Sequence, residues 1–402
     1  MQICGVDDHK VSASVLKPIL EDWFATSRKA SSKQGAFIID STGATTAHVQ
    51  ALLQEYGQDS DLILLNLKPT GVDTAAINLL TDKSISASSR ALTELVSLFC
   101  YHAEKTHGMF GHYLEEFISA IITVHNFAFN RPVTVQDLYP YISSVSLSEK
   151  HILSNEEIAC TLTGEAPLAS LLNIAQSNNP PRLVQFAIDK LRHEHDLTKF
   201  ELTRLITHPL KTFCENVYVT EKFCGENSLN WEEISRKGQI VILNTVGCSS
   251  TLADQVARLL RHNMYHHLGL YGTKTQDFLH LIDSPRYLVP NDNTHFILRN
   301  PYTQINHIVV AETMLQQDTV RMRLQLGRID QCFKTFVYGA CNDRKTWTAM
   351  EASYALTNHK GCNLPAAGIV QYLKELPKPT YVVLREPKVR LGVGLAALWS
   401  TG

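Results

Sequence analysis

Short apolar runs recur along this chain, and half of the six below end on a polar residue. They are AFIID (Ala36 to Asp40), LILLNL (Leu62 to Leu67), QIVILN (Gln239 to Asn244), FLHLID (Phe278 to Asp283), INHIVVA (Ile305 to Ala311) and FKTFVYGA (Phe333 to Ala340). Runs this short and this continuously apolar suit strands of a parallel sheet buried on both faces, rather than strands with one wet face. Between them lie segments with apolar positions at helical spacing. Val15 to Arg28 places Val15, Ile19, Leu20, Trp23 and Phe24 on one stripe, and Pro18 falls in its first turn, where it is tolerated. Thr42 to Gly57 reads as a loop and then a helix closed by glycine, and Thr251 to Leu268 and Met314 to Leu326 read as helices. Strand–helix alternation at these lengths predicts an α/β layer with a mainly parallel sheet flanked by helices.

From Ala91 to Trp231 the strand signal vanishes. LTELVSLFCYHAEK, GHYLEEFISAIITVHNF, PRLVQFAIDKLRHEHD and LTRLITHPLKTFCENV all carry helical periodicity. The expected organisation is a split α/β domain, residues 1–90 and 232–402, holding a mainly helical insertion over 91–231. The segment YVVLREPKVRLGVG near the C-terminus reads as a hairpin or an edge strand. The most apolar stretch, Phe117 to Phe129, is interrupted by His125 and Asn126 and falls short of the ~20 residues a membrane span needs. A buried helix is expected there, and a cytoplasmic chain, in solution or peripheral at the cytoplasmic face of the inner membrane.

Composition narrows the choice modestly. With 44% hydrophobic and 19% charged residues, the 402-residue chain is an ordinary globular mixture. A net charge of -2 advertises no global polyanion-binding surface, so a nucleic-acid role needs a local basic lining or a ring that concentrates charge. Nine scattered cysteines without C-x-x-C or zinc-finger spacing read as reduced, packed thiols. His262 and His266 stand four apart on an expected helix beside His267, but no third ligand accompanies them, so a helix-surface or core role is favoured.

In order, these pieces resemble the TraG/TraD-type coupling ATPases of conjugation and type IV secretion, in the HerA–FtsK branch of RecA-like motors. FIIDSTGAT sits where that family has a strand ending in Asp-Pro-Lys-Gly. LILLNLKPTGVDTAAINLL resembles its second strand with an Asn-Pro-Leu turn, and RPVTVQDLYPYIS resembles the start of its all-α domain. KGQIVILNTVG resembles the strand returning to the motor core, and FLHLIDSPRYLVP is placed like the Walker B strand. CNDRKTWTAMEASYALTN resembles the family's late Asn-Asp…Thr-Ala-Glu…Ser motif. The likeness spans nearly the whole chain. It implies a RecA-like fold, bound ATP and Mg2+, and a ring (a hexamer in such motors) of like or unlike subunits. It also implies partners: DNA, a nucleoprotein or a protein secretion substrate, together with secretion-channel proteins. The family's N-terminal transmembrane helices have no counterpart in these residues, which leaves a soluble homologue, a fragment or a partner subunit open.

Residue by residue, the resemblance places the phosphate loop at CGVDDHKV (Cys4 to Val11). Such a loop needs framing glycines, so that backbone N–H groups approach phosphate, then a lysine and a magnesium-holding hydroxyl. Here Cys4 and His9 replace the glycines and Val11 replaces the hydroxyl residue, leaving Lys10 and Ser12 as the nucleotide- and metal-facing candidates. Asp7 and Asp8 add negative charge where a triphosphate would sit, at a cost of about 1 kcal/mol per like-charge contact near a surface. Asp283 takes the place of the magnesium acid, but Ser284 stands where the water-activating glutamate belongs. Glu312 occupies the place of the glutamine that senses the γ-phosphate, and a carboxylate cannot donate to phosphate. Asp40 and Gly43 keep the strand-end acid and turn glycine, with Ser41 and Thr42 in place of Pro-Lys. Several departures in one direction imply weak or absent hydrolysis. DNA contact falls to Arg321, Arg323 and Arg328 in VRMRLQLGR, with Arg286 as a further candidate. Two rival readings remain: an active ATP-driven DNA translocase, and a non-enzymatic adaptor that binds a protein partner through the helical domain.

Overall fold

The computed structural model describes residues 2–4, 16–29, 33–70, 74–80, 85, 86, 88, 89, 92, 107–143, 167–193, 206, 207, 209–211, 213–270, 277–283, 305–311, 335–338, 380–385 and 388–393. The chain forms two compact units. One comprises Met1–Leu67, Trp231–Cys248 and His267–Gly402, and the other Lys68–Asn230 and Ser249–His266.

The first unit is built on a nine-stranded sheet, and every expected apolar run lies in it. In chain order the strands are β1 (Gln2–Cys4), β2 (Gly35–Asp40), β3 (Leu62–Asn66), β4 (Ile240–Asn244), β5 (Phe278–Ile282), β6 (Ile305–Ala311), β7 (Thr335–Tyr338), β8 (Thr380–Arg385) and β9 (Lys388–Val393). Their spatial order is β3-β4-β2-β5-β6-β1-β7-β8-β9. The strands from β3 to β7 pair in parallel, and β8 and β9 add an antiparallel hairpin at one edge. This is an α/β, RecA-like sheet of mainly parallel strands: β1, the strand before the expected phosphate loop, is separated from β5, the strand expected to lead to the magnesium acid, by β6 alone. The helix expected over Met314 to Leu326 lies outside the described residues.

Two helices, α1 (Lys17–Lys29) and α2 (Ala44–Glu55), cover one face of the sheet. Their apolar stripes, Ile19, Leu20 and Phe24 from α1 and Val49, Leu52 and Leu53 from α2, pack on Ala36, Ile38, Ile240, Ile242, Leu279 and Leu281. These strand positions share a face because side chains alternate along a strand. Truncating a fully buried member such as Phe24 to Ala would cost about 3–5 kcal/mol. The opposite face is aromatic. Trp231, which opens α8 (Trp231–Lys237), meets Phe37 edge-on at 5.2 Å, and Phe37 stacks on His280 at 5.5 Å. Gly238 then turns the chain from α8 into β4 with φ +68°, so close to Lys33 that a β-carbon there would lie 2.2 Å from the Lys33 Cβ.

The second unit is helical over its described elements: α3 (His107–Phe129), α4 (Val135–Ser143), α5 (Pro167–Ser177), α6 (Arg182–His193), α7 (Val217–Phe223) and α9 (Ser250–Tyr265). Asn78, from the segment resembling the Asn-Pro-Leu turn, knits it together. Its side chain donates to Val133 O (2.9 Å) and accepts from Leu80 N (2.9 Å), while its backbone N donates to Asn227 O (2.8 Å). Entry into α4 is fixed by Thr134 and Asp137, which cap each other, with Arg131 forking onto Asp137. His125 lies buried beside this cluster, its Nδ1 3.1 Å from the Tyr141 hydroxyl.

Candidate functional site

The C-terminal ends of parallel strands are where open α/β sheets place their ligand crevices. In the first unit, four adjacent strands end on polar residues in one cross-strand row. Register pairs Asn66 with Asn244 and Asn244 with Asp40, and pairing of Ile39 with Ile282 sets Asp40 beside Asp283 at the next step. All four follow the face that carries α1 and α2, because Ala36, Ile38, Leu279 and Leu281 precede them at even spacing. The Asn244 amide donates to Asn66 Oδ1 at 3.0 Å, and Asn244 Oδ1 accepts from Val246 N at 3.1 Å.

Asp40 is fully buried and accepts five hydrogen bonds. Oδ1 takes the Thr42 N–H (3.0 Å), the Thr42 hydroxyl (3.1 Å) and the Gly43 N–H (2.9 Å). Oδ2 takes the Thr46 N–H (2.7 Å) and the Thr46 hydroxyl (2.6 Å). Gly43 makes this wrap possible at φ +80°, the left-handed region, and the N-terminus of α2 is thereby satisfied from the strand end. The main chain of Asp40 is also committed: its carbonyl accepts from the Thr245 N–H (2.9 Å) and hydroxyl (3.2 Å).

Asp283 follows β5 directly and is tied to β2 twice. Its N–H donates to Ile39 O at 3.2 Å, and its Oδ2 accepts the Ser41 N–H at 2.5 Å. Its Oδ1 is out of contact with solvent and has no hydrogen-bond partner. Burial pushes the Asp283 carboxyl well above the usual carboxylate range; the negative charge of Asp40 pushes it further, and the Ser41 N–H opposes both. Asp283 as a whole is half-buried, and Oδ1 is the oxygen shut off from solvent.

Of the residues expected at a nucleotide site, the structure therefore brings Asp40 and Asp283 together. Lys10, Ser12 and Glu312 lie outside the described residues, as do Arg286, Arg321, Arg323 and Arg328. The strands that lead to them are described: Cys4 at the end of β1 pairs with Ala311 at the end of β6, and Val309 of β6 pairs with Ile282 of β5. His267 is buried and His262 half-buried, and among the described residues no group of three or more His, Cys, Asp or Glu could hold a metal ion. Sequence reasoning missed Asn66 and Asn244 as partners, although both end apolar runs, and missed Thr46 as a second cap for Asp40.

The fold and strand order define a RecA-like α/β protein. No protein-family model matches the chain, and no curated protein matches it in sequence. Among solved structures, the plasmid coupling protein TrwB in complex with the non-hydrolysable GTP analogue GDPNP superposes with a TM-score of 0.60 at 12% identity, over 98% of this chain and 84% of that one. The unbound monoclinic form of the bacterial conjugative coupling protein TrwBdeltaN70 gives 0.59 at 11% identity, over 97% and 83%. VirB4 of Thermoanaerobacter pseudethanolicus gives 0.52 at 10% identity, over 99% and 90%. At these identities the likeness is one of fold.

Proposed function

We propose that this chain is a coupling-protein-like subunit of a conjugative or type IV secretion apparatus, recruiting DNA or a nucleoprotein or protein substrate with weak or absent ATP hydrolysis. One observation carries the reading: β6 lies between β1 and β5, so the strands leading to Lys10, Glu312 and Asp283 end side by side. That is the order a RecA-like motor needs if one nucleotide is to be met by all three positions. The likeness to TrwB, which has been solved with ADP and Mg2+ and with an ATP analogue, supports ATP and Mg2+ as the ligands of the ancestral site. The replacements at Cys4, His9, Val11, Ser284 and Glu312 support impaired turnover. In this reading the helical part is an insertion in the motor half. The assembly is a ring of like or unlike subunits at the channel, and Arg321, Arg323 and Arg328 line its DNA path.

The test uses the purified chain. With magnesium-ATP, turnover is expected to match a Lys10→Ala control. Single-stranded DNA is expected to bind with an affinity that falls steeply between about 50 and 200 mM salt, the log–log slope easing by about 0.7 for each phosphate contact removed with Arg321, Arg323 or Arg328. Turnover above the control sinks impaired hydrolysis and favours the translocase. Absence of salt-dependent DNA binding removes the DNA path and leaves a protein substrate.

A further inference from the structure

The antiparallel strands β8 and β9 close the sheet, and β9 is the last in its order. Their register sorts the residues of this hairpin onto two faces of opposite character. Leu384 pairs with Val389 and Val382 with Leu391, and Phe336 of β7 falls in the first of these rows, so one face is apolar. On the other face Arg385 stands directly opposite Lys388; Arg390 follows on β9, opposite Val383, and Tyr381 comes next on β8, opposite Gly392. Directly opposed positions lie about 5 Å apart at their β-carbons, where like charges destabilise the pairing, and diagonal ones about 7–8 Å apart. Arg385 therefore meets one cationic position directly and a second diagonally, and Glu386 is the only acidic residue from 380 to 393. A cation on an edge strand discourages pairing with another sheet, which accounts for Lys388 and Arg390. It does not account for Arg385, on the inner strand of the hairpin. Charge of one sign gathered against the strand pairing, in a chain of net charge -2, calls for an anion.

We propose that this face of the β8–β9 hairpin binds the phosphate backbone of single-stranded nucleic acid, with Arg385, Lys388 and Arg390 as phosphate contacts and Tyr381 as a stacking position for a base. Binding of this kind needs cations and an aromatic ring on one surface, and no base-specific donors. Three cations fall short of the about four to eight that mark an anionic-lipid site, whereas a few cations continued by an aromatic ring are the pattern of a single-strand groove. The inference rests on the nucleic-acid part of the proposed function. It adds a second site to that reading, on strands well apart in sequence from Arg321, Arg323 and Arg328.

Fluorescence anisotropy of the full chain with a labelled oligothymidylate, over about 50–200 mM salt, tests it. Arg385→Gln, Lys388→Gln and Arg390→Gln should each ease the log–log salt slope by about 0.7, and the triple variant by about 2. Arg182→Gln, at an exposed position of α6, should leave the slope unchanged. Arg385→Lys combined with Arg390→Lys keeps every charge and should keep the slope. Tyr381→Leu should weaken binding roughly tenfold at unchanged slope. Lys388→Gln removes the opposed like charge, so it should melt no lower than the wild type while binding less well, which separates a lost contact from a lost fold. A triple variant with the wild-type slope overturns the hairpin site and leaves the proposed function in place; a wild type without salt-dependent binding overturns both. Binding to phosphatidylserine vesicles that the triple variant loses, with oligonucleotide binding intact, assigns the cations to a membrane and overturns the proposal as well. Should the triple variant not accumulate as folded protein, the single variants decide by the same slopes.

Discussion

Asp283 reaches across the β2–β5 pairing to bracket Asp40, its N–H on the carbonyl before that residue and its Oδ2 on the N–H after it. The bracket holds a fully buried carboxylate that serves as cap for the turn and helix beyond β2. Asp40→Ala therefore strands two backbone N–H groups at Gly43 and Thr46, a third at Thr42, and two hydroxyls. Each buried donor left unmade costs about 1–3 kcal/mol, and solvent entry recovers part of the sum. A loss of about 3 kcal/mol is expected, read as a lower urea midpoint. Asp40→Asn, which replaces one acceptor by a donor, should be only slightly better.

His125 makes acid sensitivity of the helical unit predictable. Burial lowers its pKa from 6.5 to about 4, against the pull of Asp137 and with a smaller push from Arg131. The unfolded chain thus takes up a proton near pH 6.5 that the folded chain refuses until about pH 4. Stability is whole above the upper value, falls as pH drops through this window, and levels off below the lower one as far as His125 alone is concerned. Allowing for solvent screening, the fall is about 2 kcal/mol. Urea titrations at pH 7 and 4.5 check it. A His125→Gln variant, neutral throughout, is expected to flatten the slope while losing some stability at pH 7.

Cys214 and Cys224 should be slow to react despite being only half-buried. Burial pushes their thiols up to about 11 and about 12 respectively. For Cys224, the backbone N–H groups of Gln136 and Val135 oppose the rise without cancelling it. The thiolate is the nucleophile, so iodoacetamide at pH 8 is expected to label both far more slowly in the native protein than in urea. Peptide mass spectrometry reads the difference, and equal rates would contradict it.

The parallel strands were legible because both faces of AFIID, QIVILN and FLHLID are apolar, and that pattern has few other uses. The hairpin at the sheet edge was legible from YVVLREPKVRLGVG for a different reason: two strand-like runs flank a Glu386-Pro387 break, and the second alternates Lys388 and Arg390 with Val389 and Leu391. The polar row was only half legible. Asp40 and Asp283 stood out as acids ending apolar runs, but their meeting depends on strand order, which periodicity does not contain. Ser41 and Asp283 are 242 residues apart, and Asn66 and Asn244 are 178 apart. β4 enters between β3 and β2 only after α3 to α8 have been traversed. Thr46 lay hidden because a threonine in a first helical turn has many partners open to it, and only the wrap at Gly43 selects Asp40.

That strand order depends on a turn that tolerates no side chain. Gly238 passes Lys33 with room for neither a β-carbon nor a shift, since the added atom would meet the Lys33 Cβ at 2.2 Å and its backbone carbon at 2.9 Å. Its φ of +68° adds the ordinary left-handed penalty. Gly57 has a similar φ, +63°, but a β-carbon there meets nothing within 4 Å. The pair separates conformation from collision. Gly57→Ala is expected to cost about 1 kcal/mol, the backbone term alone. Gly238→Ala adds displacement of the Lys33 backbone next to β2 and should cost about 3 kcal/mol or prevent accumulation of folded protein. Side-by-side urea denaturation settles it: equal losses in the two variants would mean that the approach of Gly238 to Lys33 is not tight in solution.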